Sequence, residues 1–149
     1  MKSKASTVWC MISPANLPAR LNGNDAAITW VFTPTTYFTV ADADALIRFC
    51  QIVFDAEILK DSRHDDGTVQ HVRLQIKDSL IMLNQATEEF AATVSQMHLY
   101  VDDVEATYQL ALAEGADSLM APMIRPHGDR MAGFTDPTGN IWWVASAAE

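Results

Sequence analysis

Val40-Ala41-Asp42-Ala43-Asp44-Ala45 returns 61 positions later as Val101-Asp102-Asp103-Val104-Glu105-Ala106. Each copy closes a strand-like run with an aspartate that can cap a helix. The same offset sets Gly67 against Gly128 and Leu80-Ile81-Met82 against Ile141-Trp142-Trp143, while Asp55-Ala56-Glu57 meets Gly115-Ala116-Asp117 after a slip of one residue. Turns, glycines and apolar runs repeat together, which argues for a duplicated unit over two unrelated α/β segments. A unit folded against its own copy makes a cleft between related halves, and clefts of that kind hold ligands.

The periodicity changes in the same order in both copies. Residues 35–41 read as a strand, and Asp42 then caps a helix to about Phe54 with Leu46, Phe49, Cys50 and Val53 at helical spacing. Asp103 plays the same part for a helix to about Glu114, where Gly115 supplies the stop. Three strand-like runs follow each helix, at 57–63, 69–76 and 79–85 and again at 117–124, 129–135 and 140–146. Asp65-Asp66-Gly67, His127-Gly128-Asp129 and Asp136-Pro137-Thr138-Gly139 supply turns. The unit is β-α-β-β-β. The chain therefore divides into an N-terminal extension, 1–33, a first module, 34–85, a linker, 86–94, and a second module, 95–149, within one structural domain. Ala27 to Phe32 offer a further strand, and the first twenty or so residues read as loose.

A chain of 149 residues can bury roughly 68–70% of its unfolded surface, so its core needs neither disulfide nor metal. With 19 acidic against 10 basic residues the net charge is −9, which argues against nucleic acid or an anionic membrane as partner. It is compatible with a cationic compound, although acidic surfaces often serve only solubility. Cys10 and Cys50 lack a nearby Cys or His at metal spacing and read as free thiols of a reducing compartment. Lys2 and Lys4 precede an apolar run of only Val8 to Ile12, shorter than the hydrophobic region of a signal peptide, and no stretch approaches a membrane span. A cytoplasmic protein is expected.

Several motifs resemble one family. The Phe49 helix leading into Val53-Phe54-Asp55-Ala56-Glu57, the run His71-Val72-Arg73-Leu74-Gln75-Ile76-Lys77-Asp78-Ser79, the triplet Gly128-Asp129-Arg130 and the ending Asp136-Pro137-Thr138-Gly139-Asn140-Ile141-Trp142 look like the vicinal oxygen chelate superfamily. That group holds glyoxalase I, extradiol dioxygenases and bleomycin-resistance proteins, and the likeness is greatest to its PhnB-like branch. The resemblance covers about residues 33–147 and implies an α+β fold. In it, two βαβββ modules form curved mixed sheets around a cleft, as in the glyoxalase/bleomycin resistance/dihydroxybiphenyl dioxygenase fold. It also implies a homodimer, with modules paired within or between chains.

In that superfamily the metal ligands come from the first and last strands of both modules. Placed by distance from the helix starts and the Asp-Pro-x-Gly turn, those positions fall at Thr35, Gln96, Met82 and Trp143. Only Gln96 suits a divalent metal, since Met offers a soft thioether and Trp no lone pair. No metal residue and no cofactor is therefore predicted. A slip of two residues brings in Tyr37 and His98, or Asn84, which leaves a divalent metal on displaced ligands open.

Alternation along strands gives the cleft lining. If Gln96 faces inward, so do His98 and Tyr100, and the same parity turns Thr35, Tyr37 and Thr39 inward. His71, Arg73 and Gln75 lie opposite the apolar face of Val72, Leu74 and Ile76; the 61-residue offset adds Arg130, Ala132 and Phe134. Leu80, Met82, Asn84, Ile141 and Trp143 complete the surface, which a single bulge would partly reverse. Two histidines, two arginines and no carboxylate suit a small neutral or anionic organic molecule with an apolar or aromatic part. His71 and His98 are the candidate catalytic acid–base residues; Tyr37, Arg73, Gln96, Arg130, Phe134 and Trp143 are the candidate ligand-binding residues. Each has a duller alternative: a satisfied sheet histidine, a structural ion pair, or packing.

Three functions follow, and whether the chain is an enzyme stays open among them. The first is a member of this superfamily with a degenerate metal site that binds or transforms such a molecule in the inter-module cleft. The second is a metal-dependent lyase, isomerase or dioxygenase of the glyoxalase type, using displaced ligands. The third is a drug-sequestering resistance protein, favoured by the acidic charge and disfavoured by the carboxylate-free lining.

Overall fold

The computed structural model describes residues 34–147. The expected strand at Ala27 to Phe32 and the reading of Cys10 lie outside those residues. Two βαβββ modules follow one another. The first is β1 (Thr36–Val40), α1 (Ala43–Phe54), β2 (Glu57–Arg63), β3 (Val69–Ile76) and β4 (Ser79–Gln85). The second is β5 (Gln96–Tyr100), α2 (Val104–Ala113), β6 (Asp117–Ile124), β7 (Arg130–Thr135) and β8 (Ile141–Ser146).

Both helices start as their sequences require. The Asp42 carboxylate accepts from the Ala45 amide, and the Asp103 carboxylate accepts from the Ala106 amide, each at 3.0 Å. One orphan amide of each first turn is thereby satisfied. Asp55, in the left-handed region at φ 54°, ends α1, and Gly115 at φ 94° follows α2. The left-handed turn after α2 is one that glycine adopts without steric cost.

Each module makes a mixed four-stranded sheet, in the orders β1-β4-β3-β2 and β5-β8-β7-β6, with its first and last strands parallel. The two sheets share one core. Phe38 of β1 stacks on Trp142 of β8, Phe54 of α1 meets Trp142 at 4.6 Å between ring centroids, and Phe49 meets Phe134 edge-on. Leu46, Cys50, Val72, Leu74, Tyr108, Ala111 and Val144 fill the space between these rings. Alternation then turns the other side chains of each sheet away from that common core.

Asp136 explains why the turn before β8 reads as it does. The carboxylate is buried and accepts from Trp142 Nε1 at 2.7 Å, from the Thr138 amide and hydroxyl, and from the Asn140 amide. Asn140 in turn accepts from the amide of Ser95 at 2.8 Å, tying the end of the linker to the turn. The Asp-Pro-Thr-Gly-Asn-Ile-Trp sequence is thus a fastening for the shared core. No helix among the described residues is long and apolar enough to cross a membrane.

Candidate functional site

The outward face of the first sheet brings together Tyr37, His71 and Arg73. Strand pairing sets Tyr37 beside Met82, Met82 beside Arg73 and Arg73 beside Lys60, giving one row across the sheet. The Tyr37 hydroxyl reaches diagonally to His71 Nδ1 at 3.2 Å. With the imidazole proton on Nδ1, that nitrogen donates to the phenol oxygen and the Nε2 lone pair stays free to accept a proton. Partial burial holds the His71 pKa below its ordinary value, and the charges of Arg73 and Lys60 lower it further; burial raises that of Tyr37. Both groups are therefore neutral near pH 7, and the imidazole can accept a proton from a bound molecule. One row further, Thr39 donates to the Asn84 side chain at 2.8 Å.

The second sheet carries the matching row, His98, Trp143, Gly133 and Met120. Trp143 Nε1 donates to Gln96 Oε1 at 2.8 Å, and the ring of His98 meets that of Tyr100 edge-on at 5.2 Å. Tyr100 donates to Asp129 at 2.9 Å, and this contact raises its pKa. A hollow of about 270 Å³ opens on this face between His98, Met120, Arg125, Met131 and Trp143. A larger groove, about 510 Å³, runs between the modules beside the Lys77–Asp102 ion pair; its walls include none of the candidate site residues.

Three expected lining residues lie elsewhere. Phe134 is fully buried in the shared core against Phe49, Phe54 and Tyr108. Arg130 pairs with Glu105 in the first turn of α2, and Ala132 is likewise in the core. The cause is one residue. Arg73 lies opposite Met82 and Gly133 opposite Trp143, so the offset is 61 on the last strands (143 − 82) but 60 on the strands before them (133 − 73). The longer turn at Asp136–Asn140 absorbs the difference and reverses the parity of β7. Met131, Gly133 and Thr135 face outward in place of the expected three. Met120, Arg125, Met131 and Gly133 are the residues that the sequence reading missed.

The donors on these faces do not fit the metal centre that the fold implies. Met82 is buried, Trp143 offers no lone pair, and the Gln96 oxygen already accepts from the indole. Among the described residues no three His, Cys, Asp or Glu side chains come together as a metal cluster.

The chain matches the model of the Glyoxalase/Bleomycin resistance protein/Dioxygenase superfamily over residues 28–144. An uncharacterized protein of Mycobacterium tuberculosis is 30% identical over 131 residues, which cover 80% of this chain and 77% of the relative. Among solved structures, TioX from Micromonospora sp. ML1 superposes with a TM-score of 0.65 at 22% identity, covering 75% of this chain and 95% of TioX. A protein described as a putative 3-demethylubiquinone-9 3-methyltransferase, PhnB, from Bacillus cereus gives 0.61 at 20% identity over 76% of this chain and 98% of its own. Paired modules, strand order and the match along most of the sequence agree: the chain belongs to the glyoxalase/bleomycin resistance/dioxygenase group, the vicinal oxygen chelate superfamily.

Proposed function

We propose that this protein binds or transforms a small neutral or anionic organic molecule without a metal ion, in a site shared between two copies of the chain. One observation carries the reading. The Tyr37–His71–Arg73 face and the Gln96–His98–Trp143 face belong to sheets whose opposite sides share a single core, so each points away from it. Each face is half a cleft. Apposing the first-sheet face of one protomer to the second-sheet face of its partner encloses a ligand between an acid–base pair and an indole. His71, neutral and bonded to Tyr37, would then exchange a proton with the bound molecule while Arg73 favours negative charge beside it.

Native mass spectrometry of protein purified without chelator tests the shared site and the absence of metal together. The expected result is a dimer, with less than about a tenth of an equivalent of Ni, Co, Zn, Mn or Fe per chain and none taken up on titration. A persistent monomer would remove the shared site. Stoichiometric metal whose loss abolishes ligand binding would instead restore the metal-dependent reading.

A further inference from the structure

The hollow on the second sheet has a composition that selects a ligand. Its back wall is the indole of Trp143, which lies flat across Gly133; a Cβ at position 133 would overlap the six-membered ring. In the first module the equivalent position is Arg73, so the glycine is what lets the second sheet carry a ring lying along its surface. The thioethers of Met120 and Met131 flank it. Sulfur and indole together form a polarizable, apolar wall that favours an aromatic ring over an aliphatic one.

At the rim stands Arg125. The Nη1 atom rests 3.9 Å from the sulfurs of Met120 and of Met123, and among the described residues no carboxylate lies within ion-pair distance of its guanidinium. Asp129 in the adjoining turn takes the Tyr100 hydroxyl and faces His127 at 3.6 Å; its backbone carbonyl, not its side chain, accepts the amide of Arg125. A half-buried guanidinium held against sulfur, with its fork of donors unspent on protein acids, is a receptor for a planar oxyanion.

We infer that this hollow is a subsite for a planar aromatic carboxylate, its ring on Trp143 between Met120 and Met131 and its carboxylate on Arg125. The inference deepens the shared-site reading, which it needs only for the opposite wall, because all five lining residues belong to one chain. The two can therefore fail separately.

The test follows the Trp143 indole N–H signal of the full chain by NMR, assigned with Trp143→Phe, during titration with naphthalene-2-carboxylate, naphthalene-2-carboxamide and cyclohexanecarboxylate. Naphthalene-2-carboxylate is expected to shift that signal saturably and to bind about tenfold more tightly than either of the others. Arg125→Gln should abolish the tenfold advantage over the carboxamide and leave carboxamide affinity unchanged. Gly133→Ala, which displaces the indole, should weaken both aromatic compounds. Folding of each variant is checked by circular dichroism. No shift of the signal at millimolar naphthalene-2-carboxylate, an aliphatic acid bound equally well, or an Arg125→Gln variant retaining the carboxylate preference would overturn the inference. A monomer that still binds the probe through Arg125 would overturn the shared site alone.

Discussion

His71 is the residue whose chemistry depends most directly on where it sits. Its folded-state pKa lies below the ordinary value because the ring is partly buried beside Arg73 and Lys60. In the window between the two values the unfolded chain binds more protons than the folded one, so stability falls as pH falls. The contribution is complete above about pH 6.5 and is lost as pH drops through the lower folded-state value. An NMR titration should place the His71 midpoint below that of an unfolded-chain histidine, and His71→Gln should flatten the stability profile across that range; an unchanged profile would contradict the assignment. Cys50 gives a second case. Burial, with a smaller push from the Asp136 charge, raises its thiol pKa far above neutrality, leaving it inert. In a Cys10→Ser background, a disulfide reagent should modify Cys50 only at the rate of unfolding.

At the scale of elements, helices, strands and turns were legible because their signals are local. Capping aspartates, a 3.6-residue apolar stripe and period-two strands fix boundaries within a residue or two. The faces of β1, β3, β4, β5 and β8 followed from alternation alone. The face of β7 did not, because parity across a duplication depends on turn length, and the turn at Asp136–Asn140 holds more residues than the one at Lys77–Asp78. That signal was present: the Asp-Pro-Thr-Gly-Asn turn has no counterpart of equal length in the first copy. Arg125 and Met120 were hidden for a different reason, since β6 is bulged between Met120 and Met123 and simple alternation fails there. Opposite facing of neighbouring β7 residues has a measurable consequence. Phe134→Ala should cost about 3–5 kcal/mol by opening the shared core, whereas Met131→Ala on the open face should cost much less. Urea denaturation of the pair distinguishes this register from the one the 61-residue offset alone would give. Asp136→Ala belongs with the first, because it strands the Trp142 N–H and the Thr138 and Asn140 amides; about 3 kcal/mol is expected.

For the whole molecule, the decisive fact is that the sides of the two sheets turned toward the helices are the ones that meet. Duplication alone could have joined the open faces within one chain or left them for a second chain to complete. The aromatic cluster of Phe38, Phe49, Phe54, Phe134 and Trp142 closes the first route by occupying the interval between the modules. A site built from both faces, as proposed, then requires a second copy of the chain. This arrangement makes a prediction that stability measurements cannot imitate. On the proposed shared site, a protomer carrying Arg73→Ala loses the first-sheet half and one carrying Gly133→Ala loses the second-sheet half, so a dimer of either variant would contain two damaged sites. In a mixed dimer both lesions fall into one site, and the other combines two unaltered faces. Mixing the two variants after unfolding and refolding should therefore recover one intact site per mixed dimer, read as recovered affinity for an aromatic carboxylate that each variant alone binds weakly. A site contained in one chain would show no recovery at any mixing ratio.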